Sequence, residues 1–212
     1  MRRKIILSLV MMVISSCLFA QEADTIQLNL PDLTSGKLLM QALQERKSSR
    51  AFADRELPLG ELSNLLWAAN GINRPEEGKR TAPTSRNKQE LDVYVVLRSG
   101  IYLYDAIHSL LVPVAAGDYR AQTGTQDYVA TASVNLIFVS DLERLGGDAD
   151  RQECSSRINV GYVSQNVYLY CASAGLATVA RGSVEKEPLS TTMKLRPGQM
   201  VILAQSVGYP KE

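Results

Sequence analysis

The sequence predicts an α+β domain, and three observations carry that expectation. Apolar residues recur at helical spacing in two stretches near the start and one long stretch in the second half. Runs rich in Val, Ile, Leu and Tyr, bounded by turn residues, lie between and after them. The two kinds of segment mix without a strict strand–helix–strand alternation, which argues against a doubly wound parallel sheet.

In chain order, Ser35-Gly36 precedes a first amphipathic helix carrying Leu38, Leu39, Ala42 and Leu43. A second follows Pro58, with Leu62, Leu65, Leu66 and Ala69 on one face and Gly71 as its stop. Residues 73–88 are polar, hold two prolines and lack periodicity, so they read as loop. Strands are expected over 92–98, over 101–104 after a tight Ser99-Gly100 turn, and over 108–114. Residues 118–131 read as mostly helical, 134–139 as a buried strand and 141–153 as a charged loop. Asp148, Asp150 and Glu153 in that loop lack calcium-hand spacing, which favours a solvated segment. A long helix is expected over 155–174, with Ile158, Tyr162, Gln165, Leu169 and Ala172 as its stripe and Gly175 ending it. Strand character resumes over 176–179, a short helix follows Pro188, and a buried strand is expected over 200–207.

The first twenty residues read as a targeting segment. Arg2, Arg3 and Lys4 precede an apolar run, Ile5 to Ile14, too short to span a bilayer, and Ala20 precedes polar Gln21. Ile14-Ser15-Ser16-Cys17 also resembles a lipobox, in which Cys17 would carry a lipid anchor. Both routes export the chain to the periplasm or envelope. Residues 21–34 read as a linker and 35–212 as one domain, long enough for a sizeable core.

A formal net charge of +1, with both signs interspersed, argues against nucleic acid as a partner. Cys154 and Cys171 remain after processing, either paired or as two inert thiols. His108 is the one histidine and sits beside an expected hairpin, so an exposed turn residue is favoured over a catalytic triad or a metal ligand. Neither a G-x-G-x-x-G fingerprint nor a Walker-type phosphate loop occurs, so a cofactor would need another scaffold.

Two segments suggest such a scaffold. Arg46-Lys47-Ser48-Ser49-Arg50 gathers three cations and two hydroxyls at a helix end, suited to an anion such as phosphate. A solvated basic surface is the plain alternative. Arg80 to Gln89 holds Pro83, Thr84, Ser85, Asn87 and Gln89, a rigid turn whose donors and acceptors suit a flat heterocycle; a capped loop is the plain alternative here.

In this order, Arg46-x-Ser48-x-Arg50 and Ala82-Pro83-Thr84-Ser85-x-Asn87-x-Gln89 resemble the flavin-binding pattern of the nitroreductase family. Gly161-x-x-x-Gln165-Asn166, running on to Ala174-Gly175-Leu176-Ala177, and Leu195-x-Pro197-Gly198 with Val207-Gly208-Tyr209-Pro210 extend the resemblance from about Ser35 onward. Residues 66–74 and 100–105 resemble its SagB-type branch. Glu90-Leu91 departs from the Pro-Trp that often follows the Asn-x-Gln segment, and the chain reaches only Lys211-Glu212 where many members carry a basic arm.

The resemblance implies a mainly antiparallel sheet flanked by helices, a homodimer, and FMN at the subunit interface. It assigns Arg46, Ser48 and Arg50, with neighbouring Lys47, to the FMN phosphate, ribityl chain and pyrimidine side. Pro83, Thr84, Ser85, Asn87 and Gln89 would border the flavin from the partner subunit, and Lys211 would stand in for the basic arm. A backbone N–H of Arg181 or Gly182 would face flavin N5. No side chain would act as acid or base. The implied activity is an FMN-dependent oxidoreductase passing electrons between a small-molecule donor and a nitro compound or quinone. An idle flavin-binding envelope protein and an azoline-type peptide dehydrogenase are the alternatives.

Overall fold

The structure is a computed structural model and describes residues 23–211. The expected signal segment, the lipobox and Cys17 lie outside the described residues. In chain order the elements are β1 (Ile26–Gln27), α1 (Leu39–Glu45), α2 (Leu59–Asn70), β2 (Ile72–Arg74), β3 (Lys79–Arg80), β4 (Leu91–Val96), β5 (Gly100–Asp105), β6 (Leu110–Ala116), β7 (Val134–Asp141), α3 (Leu142–Leu145), α4 (Ala149–Ala174), β8 (Ala177–Arg181), α5 (Lys186–Thr192) and β9 (Gln199–Gly208).

Seven strands form one sheet in the order β1-β6-β5-β4-β7-β9-β8, and every neighbouring pair is antiparallel. Successive side chains of a strand point to opposite faces. On β4, Val93 and Val95 therefore join the core under α2 and α4, while Tyr94 and Val96 join a second core with Leu189 and Met193. Cover on both faces explains why β4 and β7 read as continuous apolar runs rather than alternating ones. Leu65 and Leu66 of α2 are fully buried, each stabilising by about 1.5–3 kcal/mol relative to exposure.

Four stretches differ from the sequence expectation. The expected linker is partly docked: Ile26 and Gln27 pair with Leu111 and Leu110 at the sheet edge, and Leu28 is buried. The expected loop over 73–88 holds the β2–β3 hairpin and a short 3-10 turn at Ser85–Asn87. Residues 118–131 form two 3-10 turns, Arg120–Thr123 and Asp127–Ala130, instead of a helix, broken at Gly124. The charged stretch 141–153 holds α3 and the first turn of α4, because Asp148 caps that helix by accepting from the Arg151 N–H at 2.9 Å.

The expected stripe of α4 is also corrected. Its buried face is Ser156, Asn159, Val160, Val163, Ser164, Val167 and Cys171, whereas Ile158 and Tyr162 are exposed. The buried polar groups are matched to the sheet. Ser156 Oγ lies 2.7 Å from Ser140 Oγ, Asn159 Nδ2 donates to Glu90 Oε1 at 2.7 Å, and Ser164 Oγ donates to Gln205 Oε1 at 2.8 Å. A polar seam stays buried when each group finds a partner, which hydropathy cannot register.

Candidate functional site

Helix α1 ends at Arg46, whose φ of −55° and ψ of 119° leave the helical region. The cluster expected at a helix end therefore runs on as non-helical chain across the end of the sheet. The Ser49 N–H donates to Thr178 O at 2.9 Å, the Ala53 N–H to Tyr209 O at 2.9 Å, and the Lys211 N–H to Ala51 O at 3.2 Å. Phe52 bridges Pro210 in the same antiparallel sense.

The run out of helix divides the cations. The Arg46 guanidinium lies over the Tyr168 ring, 5.3 Å from its centroid, and Ser48 Oγ is 2.9 Å from Tyr168 Oη. Lys47 and Ser49 face a different cavity of about 330 Å³, shared with Lys37, Thr178 and Lys211. Arg50 is exposed, two residues on from Ser48. Among the described residues, Arg46, Lys47, Arg50 and Lys211 enter no ion pair, while Arg98, Arg144, Arg157 and Arg196 are each held by carboxylates.

Tyr168 is the residue sequence reading missed. Its hydroxyl also accepts from the Ala180 N–H at 2.9 Å, tying the Ser48 segment to β8 beside Arg181. The available signal was its place on α4 just after Gln165-Asn166, within the motif already singled out. Gly182, the next residue beyond β8, is exposed and has open space where a side chain would sit.

The Arg181 side chain turns away from that end. It is 4% exposed and donates to Thr123 O at 2.7 Å, Asn135 Oδ1 at 3.1 Å and Ser206 Oγ at 3.1 Å. Burial pushes its guanidinium down to about 10, still protonated at neutral pH. What Arg181 can offer a ligand is therefore its backbone.

The Pro83–Gln89 turn shares no hydrogen bond or cavity with residues 46–50 within the chain, among the described residues. Pro83, Ser85 and Asn87 are exposed, and Thr84 Oγ1 accepts from the Gln89 N–H at 2.9 Å. Gln89 Nε2 donates to Gly78 O at 2.7 Å and Asn87 Oδ1 at 3.1 Å, while its Oε1 accepts from Arg80 Nε at 2.8 Å. Its amide thus pins the turn internally. Arg86, Asn87 and Gln89 sit at φ of 53°, 54° and 48°, left-handed positions costly for side-chain-bearing residues, with Lys88 between them at −70°.

Cys154 and Cys171 are both free. They lie on one helix seventeen residues apart, about 25 Å along its axis, beyond the reach of a disulfide within the chain. His108 is exposed in the β5–β6 turn with Nδ1 2.7 Å from Asp105 Oδ2.

This arrangement agrees with comparisons to known proteins. The model of the Nitroreductase family matches residues 43–209. A protein of Methanocaldococcus jannaschii named as a nitroreductase is 30% identical over 191 residues, covering 85% of this chain and 96% of that one. The crystal structure of a Ralstonia eutropha JMP134 protein, also named as a nitroreductase, is 42% identical with a TM-score of 0.84, covering 89% of this chain and 90% of that one. An NADPH:FMN oxidoreductase from Vibrio harveyi shares the fold at 18% identity and a TM-score of 0.62, covering 82% and 69%. Matched over most of its length in both sequence and fold, the chain belongs to the nitroreductase family and is an oxidoreductase.

Proposed function

We propose that the chain is an exported, FMN-dependent homodimeric oxidoreductase that passes hydride or electrons to an electron-poor small molecule such as a nitro compound or quinone. The observation that carries this reading is the row of Arg46, Ser48 and Arg50. Its two guanidiniums have no carboxylate partner among the described residues, and Tyr168 fixes the row against β8. Such a row fits a phosphate and its ribityl chain, because an anion there gains charge-assisted donors without displacing an internal ion pair. The Lys211 backbone N–H donates to Ala51 O and ties the chain end to this segment, while Lys211 lines the neighbouring cavity with Lys47.

A flavin supplies the hydride and electron chemistry itself, so the protein's part is to bind, orient and exclude water. In this reading Arg46, Ser48 and Arg50 bind, the backbone N–H groups around Arg181 and Gly182 orient, and Pro83 to Asn87 of a second copy close the site. A second copy is supported by apolar surface: Leu39 and Met40 of α1 are 63% and 73% exposed, and Ile158 and Tyr162 of α4 are exposed with them. Export rests on residues 1–20, with domain 35–212 as the working unit, and directs attention to a donor other than NAD(P)H, such as a quinol or a redox protein.

The chain expressed from Gln21, mixed with FMN and desalted, should keep the flavin absorbance. Arg46→Ala or Arg50→Ala should each weaken FMN binding by about 10- to 150-fold, the loss of ~1.5–3 kcal/mol of charged hydrogen bonding. A colourless wild-type protein would overturn the reading. Rapid reduction by micromolar NADH or NADPH would overturn the proposed donor alone.

A further inference from the structure

We propose that the cavity between the Pro83–Gln89 turn and the α3–α4 junction is a binding site for a small polyanion bearing phosphate or clustered carboxylates. This cavity, of about 470 Å³, shares no residue with the Arg46 row of the same chain, though Ser85 and Arg86 belong to the turn proposed above to close the flavin site of a second copy. Arg86 and Lys88 line one side and Arg151 the other, with Ser85 and Ser155 between them. Among the described residues, no acidic side chain lines it.

None of these cations enters an ion pair among the described residues, although carboxylates hold Arg144 of α3 and Arg157 of α4 close by in the chain. Neither serine hydroxyl makes a hydrogen bond to protein among the described residues. Cations gathered around one cavity repel each other, and a bound anion removes that cost. The first turn of α4 at the junction adds little to this field, because the Asp148 carboxylate already caps it and Asp150 lies within it, so the attraction rests on the side-chain cations. A single monovalent ion would leave most of this charge unmatched, which favours a polyanion.

The walls are fixed in place before any ligand arrives. Arg144 donates from α3 to Gln89 O at 3.0 Å and to Asp92 Oδ2 at 2.5 Å, joining the junction to the far end of the turn. Gln89 is itself tied to Gly78 and Arg80. Arg86 is held at φ 53° within this frame, a conformation that surrounding structure must over-determine. Gly146 and Gly147, at φ 64° and 92°, let the chain turn sharply into α4 along the cavity rim.

The test is calorimetric titration of pyrophosphate, and separately of citrate, into the chain from Gln21 carrying Arg46→Ala and Arg50→Ala. That background removes the Arg46 row and no flavin is added, so the anion cannot be held by the proposed flavin-phosphate cations, and Arg151, outside the proposed flavin site, tells the two readings apart. Saturable one-to-one binding is expected, weakened at least about tenfold by Arg86→Gln with Arg151→Gln and left nearly unchanged by Arg74→Gln, an exposed arginine outside the cavity. All three side chains are exposed, so an unchanged thermal transition should confirm folding. Binding of pyrophosphate alone assigns a phosphate ligand, binding of citrate alone assigns clustered carboxylates, and binding of both assigns general polyanion recognition. No saturable binding above chloride at equal ionic strength, or an affinity that survives the double substitution, overturns the proposal.

Discussion

Tyr168 holds together three things that are far apart in sequence: the Arg46 guanidinium, the Ser48 hydroxyl and the Ala180 N–H. Tyr168→Phe keeps the ring under Arg46 but strips the oxygen from both hydrogen bonds. It should destabilise the fold by ~1–3 kcal/mol, chiefly through the unpaired Ala180 N–H, and loosen the Ser48 segment. Urea unfolding checks the first effect, and flavin affinity the second. Asp141 is the clearest source of pH dependence. Burial alone would raise its carboxyl, but the Arg144 and Arg196 guanidiniums outweigh burial and hold it below the ordinary carboxylate range. A depressed carboxyl stabilises the fold above its unfolded value, near 3.9, and that contribution fades as pH falls through the folded value. Asp141→Asn should therefore cost about 1.5–3 kcal/mol at pH 7 and much less near pH 3, read from denaturation at the two pH values.

At the scale of elements, helix α4 shows how much a local reading can recover. Its existence and its C-terminal end at Gly175 were legible, because long helical spacing followed by a glycine in the left-handed region is a strong signal. Its start was not. The stretch before Ser155 is polar and charged, which resembles loop, yet Asp148 supplies the cap that begins the helix six residues earlier. Asp148→Ala should cost about 1 kcal/mol, visible as a lowered thermal transition with the far-UV helical signal otherwise kept. Its buried face was misassigned for a related reason. Hydropathy selects Ile158 and Tyr162, whereas the sheet accepts Ser156, Asn159 and Ser164 because Ser140, Glu90 and Gln205 stand opposite to bond them.

At the scale of the whole molecule, that misassignment becomes informative. The apolar residues that α4 does not bury, together with Leu38 just before α1 and Leu39, Met40 and Leu43 within it, remain on the surface of the single chain. Helical apolar spacing predicted two helices packed by these residues; in the folded chain, Ala42 is the one buried residue of α1. Under the proposed homodimer they would face a second copy. Leu39→Glu with Ile158→Glu should then shift sedimentation from dimer toward monomer while leaving the fold intact, since both side chains are exposed in the chain. A sedimentation coefficient unchanged by this pair would place any dimer contact elsewhere.

The sequence by itself determined the α+β class, strands β4 to β9 though not β1 to β3, the order of the motifs and the residue types of the candidate site. These are local properties: a period of two or 3.6, a glycine stop, or a basic run with hydroxyls needs no partner to be read. Only the tertiary structure decided which way the Arg46 to Arg50 cations point, that Tyr168 braces them, that Gln89 is engaged within its own turn, and that Arg86 and Arg151 face one cavity. Each of those depends on groups brought together across the sheet or between loops. A polar side chain buried against its partner and one left in water look the same in sequence, and differ only in what the fold places opposite them.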